Sequence, residues 1–283
     1  MSEKKAFDYS SLKLAAEGKQ GVFSIGKSWL LRDIMAFSLG EGKKKVVVFG
    51  DLSADSSAPA MFLTEFWKNA LSALSQNSLF LSFKLSSLLK KTRICIIPMP
   101  NPDGCDLILN GLSEYNPFYS RILKFAPDKN FDLLKANARG VELEINFSEN
   151  WLAAKNEERL NGITGPSLFG YGGEYPESEK ESAAISFFLR SFSPDAIVIF
   201  HKEEKKNLFC RGLLSKAFGN IISGYGDIPF TDREERHGGF SLWAREFFDV
   251  PVVDIYLPFN DSSSEKDSIA SSIILSAALT MNE

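Results

Sequence analysis

The stretch Ile96-Ile97-Pro98-Met99-Pro100-Asn101-Pro102-Asp103-Gly104 decides the fold. Ile94, Ile96 and Ile97 read as a short apolar strand. Pro98 and Pro100 end it, because a proline cannot donate a ladder hydrogen bond. Asn101-Pro102-Asp103-Gly104 then reads as a turn, with Pro102 presetting its own φ and Gly104 permitting a positive one. A strand that runs straight into a rigid polar turn is how α/β proteins place a site at the carboxyl edge of a sheet. The segment that answers it downstream is Lys135-Ala136-Asn137-Ala138-Arg139-Gly140-Val141-Glu142-Leu143-Glu144-Ile145-Asn146-Phe147.

Working outward, Val22 to Gly26 and Ile34 to Leu39 read as strands, and Val46 to Phe49 as a buried central strand. A helix is expected from about Ala58, where Leu63, Trp67, Leu71 and Leu74 form one apolar stripe and Pro59 sits in the first turn. Residues 112–175 show little periodicity and many turn residues, so a long loop region is expected there. Ser178-Glu179-Lys180-Glu181 reads as a capping box opening a helix. Ala196 to Phe200 is a strand ending at His201. Helical segments follow near Leu213–Ile222 and Phe240–Phe248, then a strand from Pro251 to Leu257 and a final helix through Ile269, Ile273 and Ala277. Strands alternating with helices predict an α/β protein, a single-domain α/β/α sandwich over residues 1–283 with a mixed, largely parallel central sheet.

Composition narrows the function classes. The chain has 283 residues, 44% of them hydrophobic, ample for one large core. A net charge of −4 gives no polyanion-binding signature, and Lys43-Lys44-Lys45 reads as solvated turn residues, so no nucleic-acid partner is expected. Cys95, Cys105 and Cys210 are odd in number and lack CxxC spacing. They read as reduced thiols of a cytoplasmic protein. No apolar leader opens the sequence and no run approaches a membrane span, so no membrane partner is expected.

Several segments together carry a resemblance. "NPDG…LNGL", "KANARGVELEINF…W" and "GPSLFGYGGEYPESEKESAA", with the opening "FSIGKSWLLRDI", resemble the zinc carboxypeptidase family from Phe23 to about Leu257. The chain is most similar there to the bacterial γ-D-glutamyl–diamino acid peptidases that trim peptidoglycan stem peptides. Leu31 stands where the family's opening has its second glycine. The resemblance implies zinc held by two imidazoles and a carboxylate, with a glutamate as general base and a cation at the oxyanion. It places Ser53 and Ser56 at the His-x-x-Glu ligand pair, and neutral hydroxyls are poor zinc ligands. The chain has only two histidines, His201 and His237. His201 matches the third ligand. Tyr256 falls at the general base, and a phenol with pKa near ~10 is a poor base at neutral pH. Asp254 shares its strand face if the strand is regular, and would be a poor substitute base. Lys135 matches the family's cationic position. The substrate segment contributes Glu142, Glu144 and Asn146; Glu144 replaces an asparagine that would receive a carboxylate, and would repel one. His237 is expected at the cleft rim.

The fold signal survives and the chemistry does not. The leading reading is a degenerate member of the family, a pseudo-enzyme with no cofactor expected where its relatives hold zinc, and with a peptide or peptidoglycan fragment as possible ligand. The alternative is an active metallocarboxypeptidase with a metal site rebuilt around His201 from Asp55, Glu144 or Glu203. A third reading is a structural protein with its cleft filled, Tyr256 being the natural plug.

Overall fold

The computed structural model describes residues 6–81, 83–226, 228–231, 235–259 and 264–281. Its centre is a seven-stranded mixed sheet of strands β1 (Val22–Lys27), β2 (Asp33–Leu39), β3 (Lys44–Phe49), β4 (Thr92–Ile97), β5 (Ala196–Lys202), β6 (Asn207–Phe209) and β7 (Val252–Leu257). The strand order is β1-β2-β4-β3-β5-β7-β6. The middle four strands are parallel, and antiparallel strands flank them on both sides. The edge strand β1 carries a register shift between Ser24 and Gly26.

Strands buried on both faces need helices on both faces. In β3, Val46 and Val48 point into one core with Phe62, Phe66 and Trp67, while Val47 and Phe49 point into another with Ile185, Leu189 and Trp243. The first core is covered by α1 (Tyr9–Ala16), α2 (Ser57–Ser75), the short α3 (Leu85–Leu88), α8 (Leu213–Gly226) and α10 (Ser264–Thr280). The second is covered by α7 (Lys180–Phe192) and α9 (Phe240–Phe248). The result is the expected α/β/α sandwich. Stacking of Phe37 on Trp67, with ring centroids 4.4 Å apart, ties β2 to α2.

Three local expectations are corrected. Asn101-Pro102-Asp103-Gly104 does not turn back; it starts α4 (Pro102–Asn110). The Asn101 side chain accepts a hydrogen bond from the Gly104 N–H, and Pro102 takes the first helical position, where no donor is missed. Gly104 therefore serves close packing and not a positive φ: a Cβ there would lie 2.5 Å from the Ala136 carbonyl oxygen. The expected loop of residues 112–175 contains two helices, α5 (Tyr119–Phe125) and α6 (Trp151–Leu160). Ile122 of α5 faces a small satellite core with Leu134, so no long periodic stripe is needed there. The capping box at Ser178 does not form. The helix starts at Lys180, with Glu179 at its N-cap and no side-chain cap.

Glu179 and Glu181 are diverted into a buried network. Glu179 accepts from the Trp29 indole (2.8 Å) and the Asn137 amide (2.9 Å), and lies 3.5 Å from Arg139. Glu181 accepts from the Trp29 N–H (3.3 Å) and from Asn137 (3.3 Å). Close by, Asp103 holds Arg32 (2.8 Å), Ser28 (2.8 Å) and the Leu30 N–H (2.9 Å). These bonds fix the segments before and after the site to one another. Burial pushes Glu181 up to about 8, with the Asp103 charge adding to it.

An acid whose folded pKa is raised stabilises the fold fully below its unfolded value, and that contribution is lost as pH rises through the folded value. Wild-type unfolding free energy should therefore fall between about pH 4.5 and about 8. Denaturant titrations across that range should show a flatter curve for Glu181→Gln. An unchanged slope would remove Glu181 from the account. A second test concerns Leu31, which is left-handed (φ 62°) and largely exposed. Leu31→Gly should raise stability by about 1 kcal/mol, because only glycine adopts this conformation without steric cost.

Candidate functional site

Parallel strands end at one edge, and β3, β5 and β7 bring three polar positions together there. β3 stops at Phe49, and Gly50 passes so close to β4 that a Cβ would lie 2.1 Å from the Pro98 carbonyl oxygen. This contact sets down Asp51 beyond the strand end. In the β5–β7 register Ile199 pairs with Asp254 and His201 with Tyr256. Side chains two positions apart share a face, so Asp254 and Tyr256 both reach His201. The regular-strand expectation for these two residues holds.

His201 is 5% exposed and both of its ring nitrogens are engaged. Nε2 lies 2.9 Å from Asp254 Oδ1 and Nδ1 lies 3.4 Å from Asp51 Oδ1. Tyr256 stacks on the ring at 4.6 Å with the planes 16° apart. Asp254 also accepts from Ser241 Oγ of α9 (3.0 Å), and Asp51 from the Ser53 N–H (2.8 Å). Burial alone would lower the pKa of His201, but Tyr256, Asp51 and Asp254 together raise it well above the ordinary histidine value. The ring thus sits between two carboxylates, hydrogen-bonded to Asp254 and in ion-pair range of Asp51.

Above this floor lies a cavity of about 610 Å³. Asp51, Ser53, Asp55, Lys135, Glu144, His201, Lys202, Glu203, Arg236, Asp254 and Tyr256 are among its lining residues. Glu144 enters it from a 3₁₀ turn, Leu143–Ile145. Burial raises the pKa of Glu144, against the opposing charges of His201 and Arg236. Arg236 is shared. It makes a close ion pair with Glu142, which is 1% exposed, and its Nη1 lies 3.6 Å from Glu144. Burial works against the charge on Arg236, and the two glutamates outweigh it. Lys202 pairs with Asp55 at 2.8 Å.

Other candidate residues sit elsewhere. Ser53 lines the cavity, whereas Ser56 is buried at the N-cap of α2. The position beside His201 is filled by Asp51. Glu142 faces Arg236 and also accepts from the Gly170 N–H (2.6 Å). Asn146, expected to touch a ligand, is fully buried and spent on the chain itself. It donates to Gly172 O (2.5 Å) and Ser178 Oγ (3.0 Å) and accepts from the Glu179 N–H (3.2 Å). His237 points at Glu157 of α6, 3.5 Å away. Tyr256 stacks on His201 without filling the cavity, which removes the basis for the plugged-cleft reading. Sequence reasoning misses Asp51, Arg236 and Ser241. Asp51 has a signal: it is the first polar side chain beyond a buried parallel strand, where α/β sites lie.

The sheet, with its cleft at the carboxyl edge, defines an α/β protein with a polar site beyond its parallel strands. A family model described as zinc carboxypeptidase matches residues 13–209, more than half of the chain, and the chain belongs to that family. YqgT of Bacillus subtilis (strain 168) is 27% identical over 266 residues, covering 86% of this chain and 68% of that protein. γ-D-Glutamyl-L-diamino acid endopeptidase 1 of Lysinibacillus sphaericus is 27% identical over 197 residues, which is 69% of this chain and 48% of the relative. Bovine thrombin-activatable fibrinolysis inhibitor superposes with a TM-score of 0.68 at 16% identity, over 97% of this chain and 95% of that one. The murein-tripeptide amidase MpaA of Escherichia coli O157 superposes with 0.57 at 18% identity, over 94% and 93%. These two likenesses establish the fold.

The donor set does not fit a catalytic zinc. A zinc-bound imidazole must present a lone pair, and here both nitrogens of His201 are turned to carboxylates. Among the described residues no group of three histidine, cysteine, aspartate or glutamate side chains is arranged to hold a metal ion. That includes Asp55, Glu144 and Glu203 around His201.

The protonation state of His201 can be read directly, since the chain has two histidines. In an NMR titration one imidazole should stay protonated well above ~6.5, and Asp254→Asn should bring it down. Stability from this triad is complete below the unfolded histidine pKa and is lost as pH rises through the folded one. Titration of His201 near ~6.5 would show that the clamp does not form.

Proposed function

We propose that this zinc carboxypeptidase family member binds a peptide in its cleft without hydrolysing it. The observation that carries the reading is the Asp51–His201–Asp254 clamp, which engages the one matched zinc-ligand position with a hydrogen bond to Asp254 and an ion-pair contact to Asp51. Tyr256 at the general-base position supports it, because it offers a ring face to His201 and no carboxylate to a water. The Lysinibacillus relative is a γ-D-glutamyl-L-diamino acid endopeptidase and MpaA a murein-tripeptide amidase, which makes a peptidoglycan stem peptide the leading ligand class. The open cleft supports binding, since cleft shape rests on backbone loops and not on the metal. Three free, buried cysteines support a reducing, cytoplasmic setting. Burial pushes Cys95 and Cys105 up to about 12 and Cys210 to about 11, so none is a ready thiolate nucleophile or metal ligand at neutral pH.

Elemental analysis after dialysis against zinc tests the reading. Less than about a tenth of an equivalent is expected, with no cleavage of γ-D-glutamyl–diaminopimelate peptides. Stoichiometric zinc that disappears in His201→Ala would overturn it in favour of an active metallopeptidase.

A further inference from the structure

The charges on the cavity floor do not cancel. His201 is flanked by two carboxylates, Asp51 and Asp254. Arg236 supplies a positive charge and is closely paired with Glu142. That leaves Glu144. Its ion partner is Arg236, 3.6 Å away and already committed, and among the described residues its carboxylate accepts no hydrogen bond. It is only partly exposed, and it lines the cavity. Over the whole cavity, seven carboxylates face four basic side chains, Lys135, His201, Lys202 and Arg236. A carboxylate with little solvent and no full partner is costly, and the upward push on Glu144 by burial records that cost. Phe169 and Phe209 are among the apolar walls of the same cavity.

We infer that the floor of the cavity takes the positively charged end of its ligand, an ammonium or guanidinium group on an aliphatic stem, with Glu144 as its ion partner. This rests on the peptide-binding reading and gives that ligand an orientation. A cation at Glu144 completes a pair that the protein leaves open, and the apolar walls suit the stem of a long basic side chain. An anionic group at the same place would meet Glu144, Asp51 and Asp254 together.

Three peptides of one length test the assignment by calorimetry: acetyl-Ala-Ala-Lys-amide, its norleucine analogue and its glutamate analogue. The lysine peptide should bind about 10-fold more tightly than the norleucine peptide, and the glutamate peptide most weakly. Glu144→Gln should abolish the preference for the lysine peptide over the norleucine peptide. A glutamate peptide that binds as well as the lysine one overturns the inference and leaves peptide binding standing. So does a lysine preference that survives in Glu144→Gln. If none of the three binds at millimolar concentration, the charge assignment and the peptide-binding reading fall together. The order of the three affinities on the unaltered protein decides the matter even if the variant does not fold.

Discussion

Two buried carboxylates on neighbouring parts of a sheet repel one another, and each loses favourable hydration, unless a cation lies between them. The carboxyl edge of this sheet meets that requirement with one imidazole. Asp51 after β3 and Asp254 on β7 hold His201 of β5 from its two nitrogens, and Tyr256 closes one ring face. Each geometric feature of the edge serves this contact: the parallel register that sets His201 beside Tyr256, the close passage of Gly50 under Pro98, and the hydroxyl of Ser241 reaching Asp254. Removing the imidazole would leave both acids uncompensated, which is why the three residues form one unit.

That unit changes what the cleft can do. A metal centre concentrates positive charge at a point open to substrate and polarises what binds there. The clamped imidazole of His201 is answered on both sides by carboxylates of its own protein. Of the glutamates after Gly140, Glu142 is buried against Arg236, and Glu144 faces the cavity with the same arginine 3.6 Å away. Family membership and the backbone describe a shape, and what the cleft does rests on the side chains at its edge.

Much of the fold is legible in the sequence because it rests on local patterns. The apolar runs at Val46–Phe49 and Ala196–Phe200 suit buried strands, and the stripe through Leu63 and Trp67 suits a core-facing helix. Asn101-Pro102-Asp103-Gly104 deceives because the same residues suit a turn and a capped helix start, and the choice depends on Ala136 packing against Gly104, a distant contact. The helix α5 is illegible because a small satellite core asks for few apolar residues. At the site, the small number of histidines is readable in the sequence. The surroundings of His201 are not. Asp51 follows β3, His201 lies near the end of β5 and Asp254 lies within β7, and nothing along the chain says that their side chains converge. Arg236 likewise reaches Glu142 from far away in sequence, and that pairing leaves Glu144 open to the cavity.

The two ends of the sheet have a consequence of their own. An open sheet presents unpaired backbone donors and acceptors at each margin, and a flat margin invites a second molecule to continue it. Here one margin, β6, is three residues long. The other, β1, breaks register between Ser24 and Gly26 and ends in Lys27, whose ammonium is tied to Asp33. Neither margin offers the long, even ladder that templated strand addition requires. The sheet can be seven strands wide, with an almost wholly apolar centre, and still stop there.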